Sequence, residues 1–285
     1  MKWRQLLFQY FDHLPAYARG SVDTWRSMLE RFYQYGFNNR ARLLEIGCGY
    51  AYPYVALFHS INVQIVGIDI QPLVNRNFNL ARYFSRWRTQ GFLPTARRLV
   101  SDFLFQLAFY YPLGRRAKVS IKRAGMPIMK MDASRMAFED ATFDFVFSSA
   151  CFEHLESVEA VLNELARVLR PGGLAEIEIH LFTSMTGGHE PELYDHRKPP
   201  DGFKLWRHLS DPTWGAPVFL NRWREHQFRE IFDRHFEIVS RSVTSNHGHQ
   251  YLTPDIVSRL TPEYSVDELV NESVLYVLRN RQLSA

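Results

Sequence analysis

Short apolar runs alternate with amphipathic stretches along most of this chain. Leu43, Leu44 and Ile46 form the first run, broken at Gly47 and Gly49. Val63 to Ile70 is the second, Met126 to Met131 the third, Phe138 to Ser149, lead-in turn included, the fourth and Leu174 to Leu181 the fifth. Continuous apolar runs of this length read as strands buried on both faces of a parallel sheet. Between them the spacing predicts helices. Pro53 to His59 follows the first strand, and Gln71-Pro72 opens a helix carrying Leu73, Val74, Phe78, Leu80, Tyr83 and Phe84. A longer helix begins at Glu153-His154, runs through Val158, Val161, Leu162, Leu165, Val168 and Leu169, and stops at Arg170-Pro171-Gly172-Gly173. Residues 1–40 read as a helical cap, with Ser21 as N-cap and Trp25, Met28, Leu29, Phe32 and Tyr33 at helical spacing up to Gly36. Leu220 to Phe232 reads as an amphipathic helix, Phe236 to Val243 as a strand, Pro254 to Leu269 as helical turns and Ser273 to Leu278 as a closing strand. Strand and helix in alternation make an α/β fold.

Two segments break the alternation. The distance from Asp69 to Met126 exceeds the roughly thirty residues a strand–helix–strand crossover needs, so residues 83–113 read as an insertion. Its segment from Leu99 to Tyr111 is apolar and aromatic, flanked by Arg97-Arg98 and Arg115-Arg116. Through residues 97–116 it could lie in a membrane interface, contact a dimer partner, roof an acceptor pocket or pack against the domain. The second segment, 182–217, is rich in Gly, Pro, His and aromatics and has no clean period. A long irregular stretch after a strand end is more often functional than decorative.

The candidate chemistry sits at the first two strand ends. Arg42-Leu43-Leu44-Glu45-Ile46-Gly47-Cys48-Gly49 reads as a strand running into a tight turn whose glycines let the backbone approach a ligand. The second strand ends in Asp69, where nucleoside-binding sheets hold a ribose through its hydroxyls. A dinucleotide fingerprint needs a third glycine, and Tyr52 stands in that place, which disfavours NAD or FAD and with them an oxidoreductase.

This stretch resembles motif I of the class I S-adenosylmethionine-dependent methyltransferases, matched by Glu45, Gly47 and Gly49, with Ala51 where the family has its third glycine. Asp132-Ala133 at the third strand end and the Leu169-Arg170-Pro171-Gly172-Gly173 turn match further family features in order and spacing over residues 41–182. The resemblance implies a Rossmann-like, mostly parallel seven-stranded sheet with an antiparallel last strand, spanning 41–285 behind the cap. It implies S-adenosylmethionine as cofactor, with Glu45 at the methionine end, Asp69 on the ribose diol and Asp132-Ala133 on the adenine. The full expected cofactor set is Glu45, Gly47, Cys48, Gly49, Asp69, Ile70, Asp132, Ala133 and Ser148.

Composition changes this picture little. The 285 residues carry 34 Lys and Arg against 30 Asp and Glu, a net charge of +4, so no nucleic-acid partner is expected. Cys48 and Cys151 read as small side chains in a reducing compartment. The N-terminal apolar run is too interrupted for a signal peptide, and no segment reaches the roughly 18 uncharged residues of a membrane span. A cytoplasmic location is expected.

Methyl transfer from a sulfonium needs alignment, and for a hydroxyl acceptor also a base. It requires no metal, and none is expected: His247-Gly248-His249 lacks partners at ligand spacing. The candidate bases are His154, His180 and His189, with Glu178 ranked below them because it could face the other side of the sheet. Ser149-Ala150-Cys151-Phe152 stands where methylases of nucleobase amines carry an Asn/Asp-Pro-Pro-aromatic signature, which disfavours that acceptor. A small-molecule acceptor is expected, methylated on a hydroxyl of a sugar, glycan precursor or lipid-linked metabolite. The alternatives are an N- or carboxyl-methyltransferase and a non-catalytic binding subunit that keeps the fold.

Overall fold

The computed structural model describes residues 13–71, 80–123, 125–193, 199 and 201–281. It divides into two compact units, residues 1–130 and 131–285.

In the first unit, strands β1 (Arg42–Ile46), β2 (Gln64–Asp69) and β3 (Ile128–Lys130) run parallel in the order β3-β2-β1. β1 pairs Ile46 with Ile68 of β2, which brings the glycine turn after β1 beside the end of β2. Helix α1 (Leu14–Gln34) packs through Trp25 and Phe32 onto Phe58 of α2 (Pro53–Ser60), a helix buried almost throughout. Ser21 is not the N-cap. Proline sits in the first turn of α1, and Ser21 lies inside it with its hydroxyl donating to Tyr17 O at 2.8 Å, which satisfies the group a cap would have used. The residues 72–79 that the sequence assigns to a helix lie outside the described residues, as do 1–12 of the expected cap.

The insertion is helical from α3 (Leu80–Gln90) through α4 (Phe92–Phe105), a π turn (Gln106–Tyr110) and α5 (Tyr111–Ala117). Its two faces differ. Phe105, Phe109, Tyr110 and Leu113 are buried, with Phe109 5.4 Å from the Tyr17 ring. Phe92, Leu93, Val100, Phe103, Leu107 and Tyr111 are exposed.

In the second unit, β4 (Phe143–Ser149), β5 (Leu169–His180), β6 (Phe236–Ser245) and β7 (Ser273–Asn280) lie in the order β4-β5-β7-β6. β4 and β5 are parallel, and β7 is antiparallel to both of its neighbours. β5 starts five residues before the expected Leu174, because the Pro171-Gly172-Gly173 turn already belongs to it. α6 (Val158–Val168) buries one face and is capped by Ser157, which accepts from Ala160 N. Glu153 and His154 are not part of it. They form a separate 3-10 turn (Phe152–His154), held by Asn221, whose amide donates to Phe152 O at 2.8 Å and Leu155 O at 3.3 Å. The expected helix from Leu220 starts only at Glu225 as α8 (Glu225–His235), after the short α7 (Arg207–Ser210), since residues 220–224 form this strap. Two further helices, α9 (Pro254–Leu260) and α10 (Val266–Val270), lead into β7. With Trp206 they enclose a second apolar cluster of Met185, Trp206, Ile256, Leu260 and Leu269.

The seven strands, their directions and their flanking helices are those of the Rossmann-like α/β class. Among the described residues no helix is long and apolar enough to cross a membrane.

Candidate active site

In the first unit the glycine turn is tied to β2 through the backbone. Gly47 N and Cys48 N both donate to Ile68 O, at 2.9 and 3.1 Å, and Gly49 N donates to Asp69 Oδ2 at 2.9 Å. Gly49 has φ +65°, a left-handed conformation that costs a side chain roughly 1–2 kcal/mol. The other Asp69 oxygen accepts from Gln71 N at 2.8 Å. Tyr52, in the third-glycine position, is fully buried as the N-cap of α2 and tilts against Tyr110 of the insertion, whose hydroxyl donates to Ala51 O. The bulk that excludes a pyrophosphate is thus packed away beneath the insertion. Cys48 is buried, Cys151 half-buried and Ile70 exposed.

Glu45 is buried and its Oε2 accepts from Val55 N at 3.2 Å. Burial pushes its carboxyl up to about 8. The Val55 N–H opposes the shift and the charge of Asp69 adds to it. Glu45 therefore holds its proton at neutral pH, and the Asp69 carboxylate is the charged group beside the open glycine turn, which disfavours a phosphate there. The ribose hydroxyls of S-adenosylmethionine fit the Asp69 carboxylate, whose oxygens keep acceptor capacity beside the turn.

In the second unit, Asp132 Oδ1 accepts from both the N–H and the hydroxyl of Ser134 at 2.8 Å, which fixes its side chain, and Ala133 lies within that turn. Ser148 is buried on β4. Glu178 does not face away unpartnered: it accepts from Ser149 Oγ at 2.7 Å and from Thr244 Oγ1 at 2.8 Å.

The three candidate histidines, distant in sequence, come together. The His189 ring centroid is 4.8 Å from that of His154 and 4.7 Å from that of His180. His189 follows a turn that only glycine can make, because a Cβ on Gly187 would stand 2.2 Å from Phe182 O. His154 Nδ1 lies 2.8 Å from Phe219 O, and a carbonyl can only accept, so Nδ1 carries a proton and Nε2 is the ring nitrogen left to face the cluster. His180 Nε2 lies 2.8 Å from Thr186 Oγ1, while that hydroxyl donates to Glu272. His180 Nε2 therefore carries its proton and is committed to Thr186. Burial, then the charges of His180, His154 and His208, push His189 down to about 3, so it is neutral at pH 7.

Glu153 is the residue that sequence reasoning missed as part of the site. Only 2% exposed, it has no hydrogen-bond partner on either carboxylate oxygen, and its Oε1 is 4.0 Å from His154 Nε2. Burial pushes it up to about 8 despite the nearby amides of Glu153 and His180, and Glu178 raises it further. A carboxylate immediately before a strand-end histidine was the available signal.

The fold is of the Rossmann-like α/β class. Residues 110–177 match the methyltransferase domain family. The chain is 25% identical to the sterol 24-C-methyltransferase of Schizosaccharomyces pombe over 142 residues, 50% of this chain and 28% of that one. It is 32% identical to the malonyl-[acyl-carrier protein] O-methyltransferase of Serratia marcescens over 126 residues, 42% of this chain and 41% of that one. Matches to these curated relatives thus span well under half of their lengths. A S-adenosylmethionine-dependent methyltransferase from Archaeoglobus fulgidus overlays with a TM-score of 0.48 at 15% identity, over 98% of this chain and all of the other. Over part of its length the chain is similar to methyltransferases, a class whose Rossmann-like members take S-adenosylmethionine as cofactor.

Proposed function

We propose that this protein methylates a hydroxyl oxygen of a small-molecule acceptor. The observation that carries the reading is the gathering of His154, His180 and His189 around the buried Glu153 at the carboxyl ends of β4 and β5. S-adenosylmethionine supplies an electrophilic methyl group and a thioether leaving group, and the chain's own residues handle the acceptor and its proton. As the acceptor oxygen gains the methyl group, its proton passes to a neutral imidazole. His154 Nε2 is the better placed nitrogen, since Phe219 O holds the ring in the tautomer that can accept. His180, bonded through Thr186 to Glu272, orients the group beside it. The rings of Phe182 and Trp214, 6.2 Å apart, suit a sugar face.

General-base help is worth roughly a hundred- to ten-thousandfold, so His154→Asn is expected to lower kcat by at least a hundredfold. Its affinity for S-adenosylhomocysteine stays at the wild-type value. Product mass and linkage analysis after incubation with labelled cofactor and a panel of glycans, polyols, amines and carboxylic acids tests the acceptor class. Methylation on nitrogen or carboxyl only, or full activity in His154→Asn, refutes the reading.

The exposed face of the insertion supports an acceptor met at an anionic lipid surface. Phe103 and Tyr111 are 57% and 63% exposed beside the exposed Arg97, Arg115 and Arg116, the pairing of apolar stripe and basic rim that interfacial helices use. Flotation with phosphatidylserine vesicles that is lost in Phe103→Asp is the expected result, and equal flotation of both proteins, or of neither, counts against it.

A further inference from the structure

We infer that Glu153, His154 and His189 form a binding site for a single divalent cation of the zinc type. One nitrogen or oxygen from each of these residues lies within 4.8 Å of the other two. With bonds of about 2.0–2.1 Å to nitrogen and oxygen, a tetrahedral centre sets its ligand atoms roughly 3.4 Å apart. Side-chain rotations that close the group by at most about 1.4 Å therefore suffice. Two imidazoles with one carboxylate are a donor set that zinc and its first-row neighbours accept, and three protein ligands leave a position open.

Glu153 supplies the independent observation. A carboxylate that is 2% exposed with no hydrogen-bond partner on either oxygen is costly in a folded protein. One of these oxygens lies in the cluster with His154 and His189, and a cation there satisfies it. His154 carries the accompanying feature of a metal ligand: its Nδ1–H is held by a backbone carbonyl, Phe219 O at 2.8 Å, which turns the Nε2 lone pair toward Glu153 Oε1 at 4.0 Å. The strap bearing Phe219 is itself fastened to the same turn, with Asn221 N donating to Glu153 O at 2.9 Å and its side-chain amide to Phe152 O. His154 and His189 are only partly buried, so an ion can reach the group from solvent.

The site rests on the same cluster as the proposed reaction but gives His154 another part in it: with the ion bound, Nε2 is a ligand, and the ion at its open position, rather than that nitrogen, acidifies an acceptor hydroxyl; cation binding itself does not depend on that reaction. The untagged full chain, stripped with chelator and dialysed against Zn2+, is expected to retain one equivalent by elemental mass spectrometry. With Co2+ it should give the visible absorption of a low-coordinate nitrogen/oxygen centre. Glu153→Gln, which keeps volume and burial, should lose at least a hundredfold in affinity against a chromogenic chelator. Asn221→Ala, which loosens the strap behind His154, should lose 10- to 100-fold. Both variants should still bind S-adenosylhomocysteine through the first unit, which shows that they fold. A double variant of His247 and His249 to Asn should keep the ion. Substoichiometric Zn2+ in the wild type overturns the inference and leaves a buried Glu153–His154 pair in its place; so does retention of the ion by Glu153→Gln. Stoichiometric ion in a protein that methylates no hydroxyl sustains the site and refutes the proposed reaction instead.

Discussion

Asp69→Ala removes the carboxylate that joins the glycine turn to the end of β2. In the wild type, Oδ2 accepts from Gly49 N at 2.9 Å and Oδ1 from Gln71 N at 2.8 Å, and each oxygen keeps a lone pair for a ribose hydroxyl. Hydrogen bonds to a charged partner contribute roughly 1.5–3 kcal/mol each. The carboxylate is only half-buried, so the low end applies and two lost ribose bonds cost about 3 kcal/mol. At 1.4 kcal/mol per decade this is about a hundredfold in Kd. Asp69→Asn keeps one acceptor and loses the charge, and should fall between, at roughly tenfold. Removing Asp69 also relieves the repulsion that helps raise Glu45, so Glu45 ionises more readily in the variant and a small part of the attraction for a cationic ligand returns. Calorimetric titration with S-adenosylhomocysteine measures the loss, and thermal unfolding checks that the chain still folds. An Asp69→Ala protein that folds and binds within threefold of wild type would refute both the ribose assignment and the argument that this turn is held for a nucleoside.

Further predictions test the scaffold around the two half-sites. Gly49→Ala meets no atom within 4 Å, so its cost is purely conformational at φ +65°, about 1–2 kcal/mol, read as a shifted urea midpoint; an unchanged midpoint contradicts it. Trp206→Ala empties a fully buried site and frees Leu269 O from its 3.2 Å bond, with an expected loss of about 3–5 kcal/mol by chemical denaturation. Burial alone would raise Glu225, but bonds from Arg241 at 2.6 and 2.7 Å and from the Tyr276 hydroxyl at 2.7 Å outweigh it and hold the carboxyl below its ordinary value. A depressed carboxylate contributes stability that is full above the unfolded pKa of about 4.3 and is lost as pH falls through the lower folded value. Wild type should therefore lose more stability than Glu225→Gln between pH 5 and pH 3, and parallel losses would show that the pair contributes nothing.

Much of the scaffold was legible in the chain because burial on both sides demands continuous apolar runs. β1 and β2 fall within a residue or so of the runs at Leu43 and Val63 for that reason. The glycine turn and Asp69 were equally legible, since a strand end followed at once by left-handed backbone leaves few residue choices. Local pattern failed where a distant partner decided the conformation. Ser21 has the chemistry of a cap, yet α1 runs through it because Trp25 and Phe32 bury against Phe58 and favour a longer helix. Glu153 and His154 look like the start of α6, but Asn221, far along the chain, takes the carbonyls of Phe152 and Leu155 and closes a separate turn. The two faces of the insertion could not be told apart by composition, because Phe105 and Phe103 are the same residue type and only packing against α1 and the glycine turn separates buried from exposed.

What the sequence determined by itself was the strand-and-helix alternation and the glycine turn, both matters of neighbouring residues. The meeting of His154, His180 and His189 around Glu153 was decided only by tertiary structure. Parallel pairing of β4 with β5, the glycine turn at Gly187 and the strap at Asn221 bring together groups that no sequence interval links, and burial then gives the carboxylate and imidazoles properties they lack in an extended chain.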